Sequence, residues 1–117
     1  MTTVLVDGRN VIRSQWPNLG EEELVEQAGD WARRHGHDVV LVFDGKAPGG
    51  VVGSERRDET TTVVGTGGES ADDWLIREAP RHPGAWLVTS DRALRDAASS
   101  NASKVVGGGS FLRRLGD

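Results

Sequence analysis

The chain has 117 residues, with 14 basic and 18 acidic side chains, a formal net charge of −4 and no cysteine. That length is expected to make one domain, residues 1–117, with a real core and no room for a second. Disulfides, a thiolate nucleophile and Cys-ligated zinc are excluded. No run nears the roughly 20 apolar residues of a membrane helix, and no basic segment followed by an apolar stretch opens the chain, so a cytoplasmic protein away from membranes is expected.

Val4-Leu5-Val6 reads as a short buried strand, closed by Asp7-Gly8-Arg9-Asn10 with Gly8 as the turn. Residues 10–13 predict a helical turn that breaks at Trp16-Pro17-Asn18-Leu19-Gly20. Leu24, Val25, Ala28, Trp31 and Ala32 recur at helical spacing and predict a helix over 21–35. Glu21, Glu22 and Glu23 in its first turn and Arg33-Arg34 in its last suit the helix macrodipole, and Gly36 is the expected stop.

A second strand is predicted over 38–43, followed by Asp44-Gly45. Residues 45–58 hold four glycines, a proline and few apolar side chains, and are expected to form a mobile loop. Residues 60–64 are β-prone and make a third strand. After the turn Gly65-Thr66-Gly67-Gly68, Ser70-Ala71-Asp72-Asp73 has the capping-box spacing and opens a helix to about Ala79, stopped before Pro80 and Pro83. Residues 85–88 form a fourth strand running into Thr89-Ser90-Asp91, residues 92–98 a helix, 104–106 a short fifth strand and 110–115 a small helix. Strands alternating with helices predict an α/β fold, a three-layer α/β/α sandwich around a mostly parallel five-stranded sheet.

In such a fold each strand's carboxyl end and the next helix's amino end share one edge of the sheet, where open α/β sheets take their ligands. Asp7, Asp44 and Asp91 follow strands, and Glu69, Asp72 and Asp73 begin a helix, so all six acids are expected on that edge. Gathered carboxylates raise one another's pKa unless a cation offsets them. Oxygen donors without histidine or thiolate suit Mg²⁺ or Mn²⁺ rather than zinc, and such a site activates water and stabilises charge at a phosphodiester.

Each residue also has a plainer role open to it. Asp7-Gly8 and Asp44-Gly45 are ordinary turn dipeptides, Asp73 pairs reciprocally with a Ser70 cap, Asp91 or Ser90 caps the helix that follows, Asp72 gains from the helix dipole, and Glu69 is a loop acid. Asn10 either orients Asp7 or a metal-bound water, or caps the turn at Arg13. Ser90 and Thr89 are placed to donate hydrogen bonds to Asp7 from a neighbouring strand. The glycine runs lack the Gly-Lys-Ser/Thr ending of a nucleotide P-loop. Arg9, Arg13, Arg56, Arg57, Arg92 and Arg95 flank the acids and suit a polyanion backbone, with solvated surface charge as the default. The overall acidity argues against a nucleic-acid partner, but the basic side chains are nearly all arginine, which binds phosphate bidentately. His35, His37 and His82 lie away from the acids and receive no catalytic role. Trp31, Trp74 and Trp86 read as core, and Trp16, beside Pro17, as a candidate for base stacking.

The opening Val4-Leu5-Val6-Asp7-Gly8-Arg9-Asn10-Val11-Ile12 resembles that of NYN domains, a branch of the PIN-like nuclease superfamily with an Asp-Gly-x-Asn signature. Trp16-Pro17, Val42-Phe43-Asp44, Glu69-Ser70-Ala71-Asp72-Asp73, Val88-Thr89-Ser90-Asp91 and Gly109-Ser110-Phe111-Leu112 resemble later motifs of its YacP-like group, in order, across nearly the whole chain. The resemblance implies a parallel sheet in the order 3-2-1-4-5 and a metal-dependent endoribonuclease. It carries Asp7, Asp72 and Asp91 onto the central metal-binding acids and Asn10 and Asp44 onto supporting positions, with Asp73 at a further acid. The chain departs from the group in its short stretch before Glu69 and in arginine at position 9, where an aromatic is common.

The expected function is therefore hydrolysis of single-stranded or looped RNA, with no membrane partner. Asp7, Asp44, Asp72 and Asp91 would hold Mg²⁺ or Mn²⁺, and Asp7, Asp72, Asp91, Asp73 and Asn10 would form the catalytic group. Arg9, Arg13, Ser90 and Arg92 would contact substrate. A homo-oligomer or protein partner stays open. Two rivals use the same edge: a receiver-like phosphoacceptor domain, with Asp44 accepting phosphate and Lys104 assisting, and a non-catalytic RNA- or protein-binding module.

Overall fold

The computed structural model describes all residues, 1–117. Six strands form one sheet: β1 (Thr2–Asp7), β2 (His37–Phe43), β3 (Gly53–Arg56), β4 (Thr61–Gly65), β5 (Trp86–Val88) and β6 (Lys104–Val106), in the spatial order β3-β4-β2-β1-β5-β6. Five of them are parallel and follow the predicted order, and β3 runs antiparallel to β4 at one edge. Five helices connect them: α1 (Gly8–Arg13), α2 (Glu21–His35), α3 (Ala71–Glu78), α4 (Arg92–Ala98) and α5 (Gly108–Arg114).

Alternating side chains along the strands feed two separate cores. Val4, Val6, Val39, Leu41, Val63 and Val88 point to one side and pack on Val11, Leu24, Val25, Trp31 and Phe111 of α1, α2 and α5. Leu5, Val42, Val64 and Leu87 point to the other and pack on Leu75 of α3 and Leu94 of α4. Apolar residues on both faces are what a parallel sheet covered by helices requires.

α2 starts and stops at the predicted residues, and Gly36 takes the left-handed conformation (φ 71°) that ends it. Gly8 departs from expectation. It is the first residue of α1 and is buried, and its φ is not positive. Its glycine character answers a close approach: a Cβ there would sit 2.6 Å from Cε1 of Phe43. Glycine therefore lets the helix after Asp7 lie against the end of β2.

The segment 45–58, expected to be a loop, instead contains a strand, the sixth of the sheet. Ala47 pairs with Val51, Gly67 donates its N–H to the Gly45 carbonyl at 2.9 Å, and Arg57 donates to the Thr61 carbonyl at 2.8 Å. All four residues of β3 are exposed. The strand is held by its ladder to β4 and buries almost nothing, so it leaves no hydrophobic alternation to read.

Candidate active site at the carboxyl edge of the sheet

β1 and β5 are neighbours with Val6 beside Val88. The register brings the next residues, Asp7 and Thr89, to the same height at the point where the strand order reverses. Asp7 is 5% exposed and Thr89 fully buried. The Thr89 hydroxyl donates to Asp7 Oδ2 at 3.2 Å and accepts the Asp91 N–H at 3.1 Å. One hydroxyl thus ties Asp7 to the loop that carries Asp91.

A cavity of about 220 Å³ opens over this point. Asp7, Asp44, Asp72 and Asp91 line it from four separate crossovers, together with Arg9, Arg13, Asn10 and Ser70. Burial raises the Asp7 carboxyl to about 6, with repulsion from Asp72 adding to it and the Thr89 hydrogen bond opposing it. Asp72 is raised as well, by partial burial first and then by Asp91, Asp44 and Asp73. The cavity therefore concentrates four carboxylates whose charge Arg9 and Arg13 relieve in part.

Three of the acids also support local structure. Asp44 accepts the Ala71 N–H at 2.6 Å, fixing the start of α3 against the end of β2. Asp91 caps α4 by accepting the Leu94 N–H at 2.9 Å. Asp7 closes β1. Asp44, read from sequence as a turn acid, and Asp91, read as a cap, each commit one carboxylate oxygen to a helix amide while also lining the cavity. Ser70 accepts the Asp73 N–H at 3.0 Å and caps α3 as expected.

The remaining predicted residues divide. Arg9 reaches the Asp44 carbonyl at 3.2 Å and lies 3.9 Å from both the Asp44 and Glu21 carboxylates. Arg13 lines the cavity and has no carboxylate partner. Asp73 and Arg92 are exposed and outside the cavity lining. Glu69 turns away to pair with Arg77.

Asn10 neither contacts a cap at Arg13 nor presents its side-chain oxygen to Asp7. Its Oδ1 accepts the Ser90 N–H at 2.7 Å. Ser90 Oγ in turn accepts the Gly108 N–H at 2.8 Å, so Ser90 is held between α1 and α5 and donates nothing to Asp7. Partners 80 and 18 residues apart gave no local signal in the sequence.

The donor set fits a hard divalent cation in kind. It consists of carboxylate oxygens, it contains no histidine or cysteine, and its most buried member carries a charge that burial and Asp72 both oppose. In the side-chain positions present, no three acids stand close enough to share one ion. A shared ion would require the cavity side chains to move from these positions.

The sequence matches the model of the YacP-like NYN domain over residues 4–116. It matches no curated protein. Among solved structures, crystal structures of Rae1 (YacP) from Bacillus subtilis share the fold. The W164L mutant has a TM-score of 0.74 and 22% identity, over 99% of this chain and 76% of that one. A second structure of the same protein has a TM-score of 0.72 and 22% identity, over 99% and 74%. Six strands with helices on both faces, acids gathered at the carboxyl edge and a family match over nearly the full length lead to one assignment: the chain belongs to the YacP-like NYN family of PIN-like nucleases.

Proposed function

We propose that the protein is a metal-dependent endoribonuclease that cuts single-stranded or looped RNA at the cavity lined by Asp7, Asp44, Asp72 and Asp91. The observation that carries this reading is the convergence of four carboxylates from four crossovers around a buried aspartate raised to about 6. A cluster that costs the fold stability is retained where a cation repays it. Mg²⁺ or Mn²⁺ would be held by those four acids and, when bound, would supply an activated water and charge stabilisation at phosphorus.

The chain's own residues do the rest. Arg13, free of acidic partners, and Arg9, already turned toward Asp44, neutralise substrate phosphate at the cavity mouth. Thr89 fixes the Asp7 carboxylate by its hydrogen bond. Asn10 holds the loop carrying Asp91 through the Ser90 amide. Exposed Trp16, in the loop after α1, is available to stack a base. The phosphoacceptor alternative gains nothing from the geometry: Asp44 Oδ1 is engaged by the Ala71 amide, and Lys104 lies over the Trp86 ring, outside the acid cavity.

The test is incubation of labelled single-stranded and hairpin RNA with wild type and Asp72→Asn, in Mn²⁺, Mg²⁺ or chelator. Cleavage that requires the metal and falls about 100-fold or more in the variant is expected. Undiminished metal-dependent cutting by Asp72→Asn would remove that residue from the site. Absence of cutting under every metal would sink the ribonuclease reading.

A further inference from the structure

The acidic chain is not acidic throughout. Residues 1–84 carry nine basic and fifteen acidic side chains, whereas residues 85–117 carry five basic and three acidic. The pairing is equally uneven. Arg33, Arg56, Arg57, Arg77 and Arg81 are each matched to carboxylates. Arg95 of α4, Lys104 of β6 and Arg114 of α5 have no carboxylate within ion-pair distance. These three line one groove of about 450 Å³ that runs along the free edge of β6, with Gly107 and Ser110 at its end and no acid in its walls. Two of them are held in place by an aromatic ring: Lys104 Nζ lies 4.5 Å and the Arg114 guanidinium carbon 5.4 Å from the centre of the Trp86 ring.

The groove adjoins the acid cavity. Gly107 forms its wall, the next residue, Gly108, is hydrogen-bonded to Ser90, and Ser90 is hydrogen-bonded to Asn10 of the cavity. This bridge links the acid pocket to a groove that holds three unmatched cations, two of them seated on Trp86. We propose that the β6 groove is a secondary binding track for the phosphate backbone of single-stranded RNA, holding the strand beyond the Asn10–Ser90–Gly108 bridge while the scissile phosphate lies over the acids. The identification of the polyanion as RNA rests on the ribonuclease reading, while the track itself rests on the groove's charge and position.

Binding is measured apart from cleavage, by fluorescence anisotropy of a labelled single-stranded RNA in chelator, across a salt series. The charge-removing triple variant Arg95→Gln/Lys104→Gln/Arg114→Gln is compared with wild type and with Arg33→Gln/Arg77→Gln on the matched side. The triple variant is expected to bind about tenfold or more weakly at low salt, with the slope of log K against log salt reduced by about 2, because each lost phosphate contact on a single strand removes about 0.7. The matched-side control keeps the wild-type Kd and slope. Because Lys104 and Arg114 pack on Trp86, the charge-keeping variant Arg95→Lys/Lys104→Arg/Arg114→Lys guards against a folding defect and is expected to restore both. Wild-type Kd and slope in the glutamine variant, or equal loss in the charge-keeping one, overturns the track. Failure of wild type to cut any RNA leaves this binding result standing and counts only against the ribonuclease reading.

Discussion

The two ends of the same three strands are built on opposite terms. At the carboxyl ends of β1 and β2 and just past that of β5, carboxylates are gathered and partly buried, and Asp7 is pushed up to about 6. At the amino ends, aromatic and cationic groups are gathered instead. Trp31 is 2% exposed and packs edge-on against Phe111 at 5.2 Å, with Trp86 at 5.9 Å and His37 at 4.8 Å from its ring. Lys104 covers the far side of the group. Burial and the neighbouring His35 push His37 down, so both edges favour the neutral form of a titratable group. Only the amino edge surrounds its group with packed rings. One end of the sheet holds the fold together, and the other spends part of that stability to keep charges close.

Three changes break or sharpen that contrast. The largest effect is expected from Trp31→Ala, which removes the ring at the centre of the amino edge and should cost about 3–5 kcal/mol in denaturant unfolding. A cost below about 1 kcal/mol would mean that the aromatic group is not what holds that edge.

Asp7→Asn, measured without metal, should do the reverse. The folded carboxyl is raised above its unfolded value, so its ionisation opposes folding. Relative stability is full below about pH 4, is lost as pH rises toward 6, and the deficit is constant above that. A shift from 3.8 to about 6 corresponds to roughly 3 kcal/mol at pH 7. Asparagine should therefore stabilise the metal-free protein at neutral pH by up to about that amount and flatten its stability between pH 4 and 6. An Asp7→Asn protein that melts lower than wild type at pH 7 would contradict the burial penalty.

The smallest expected change is from Thr89→Val, which keeps the shape and removes the donor to Asp7. It should cost about 1–3 kcal/mol and move the Asp7 titration upward, followed by the carboxyl carbon signal in NMR. An unmoved titration would mean that the hydroxyl does not set the carboxylate's affinity for protons.

Much of this architecture was readable in advance, for identifiable reasons. α2, α4 and β6 have the predicted residues because their apolar spacing, terminal charges or flanking glycines are local signals. The acids' shared edge followed from connection handedness alone. β3 leaves no sequence signal because Gly53-Ser54-Glu55-Arg56 is exposed on every residue, and the strand is held by its ladder to β4. Gly8 reads as a turn in sequence because the reason for it, the Phe43 ring, lies on another strand. The orientation of Asn10 depends on an amide 80 residues away. No spacing rule foretells that contact.

The Asn10–Ser90–Gly108 bridge has a consequence for how the protein comes into being. All four cavity acids lie before residue 92, yet the amide that steadies Ser90 belongs to residue 108, and Phe111 fills the core behind it. A nascent chain emerging from its ribosome possesses every carboxylate well before it possesses the strut that braces them. Loss of α5 would therefore be expected to loosen Ser90 and the loop that carries Asp91 while every cavity acid remained in the chain.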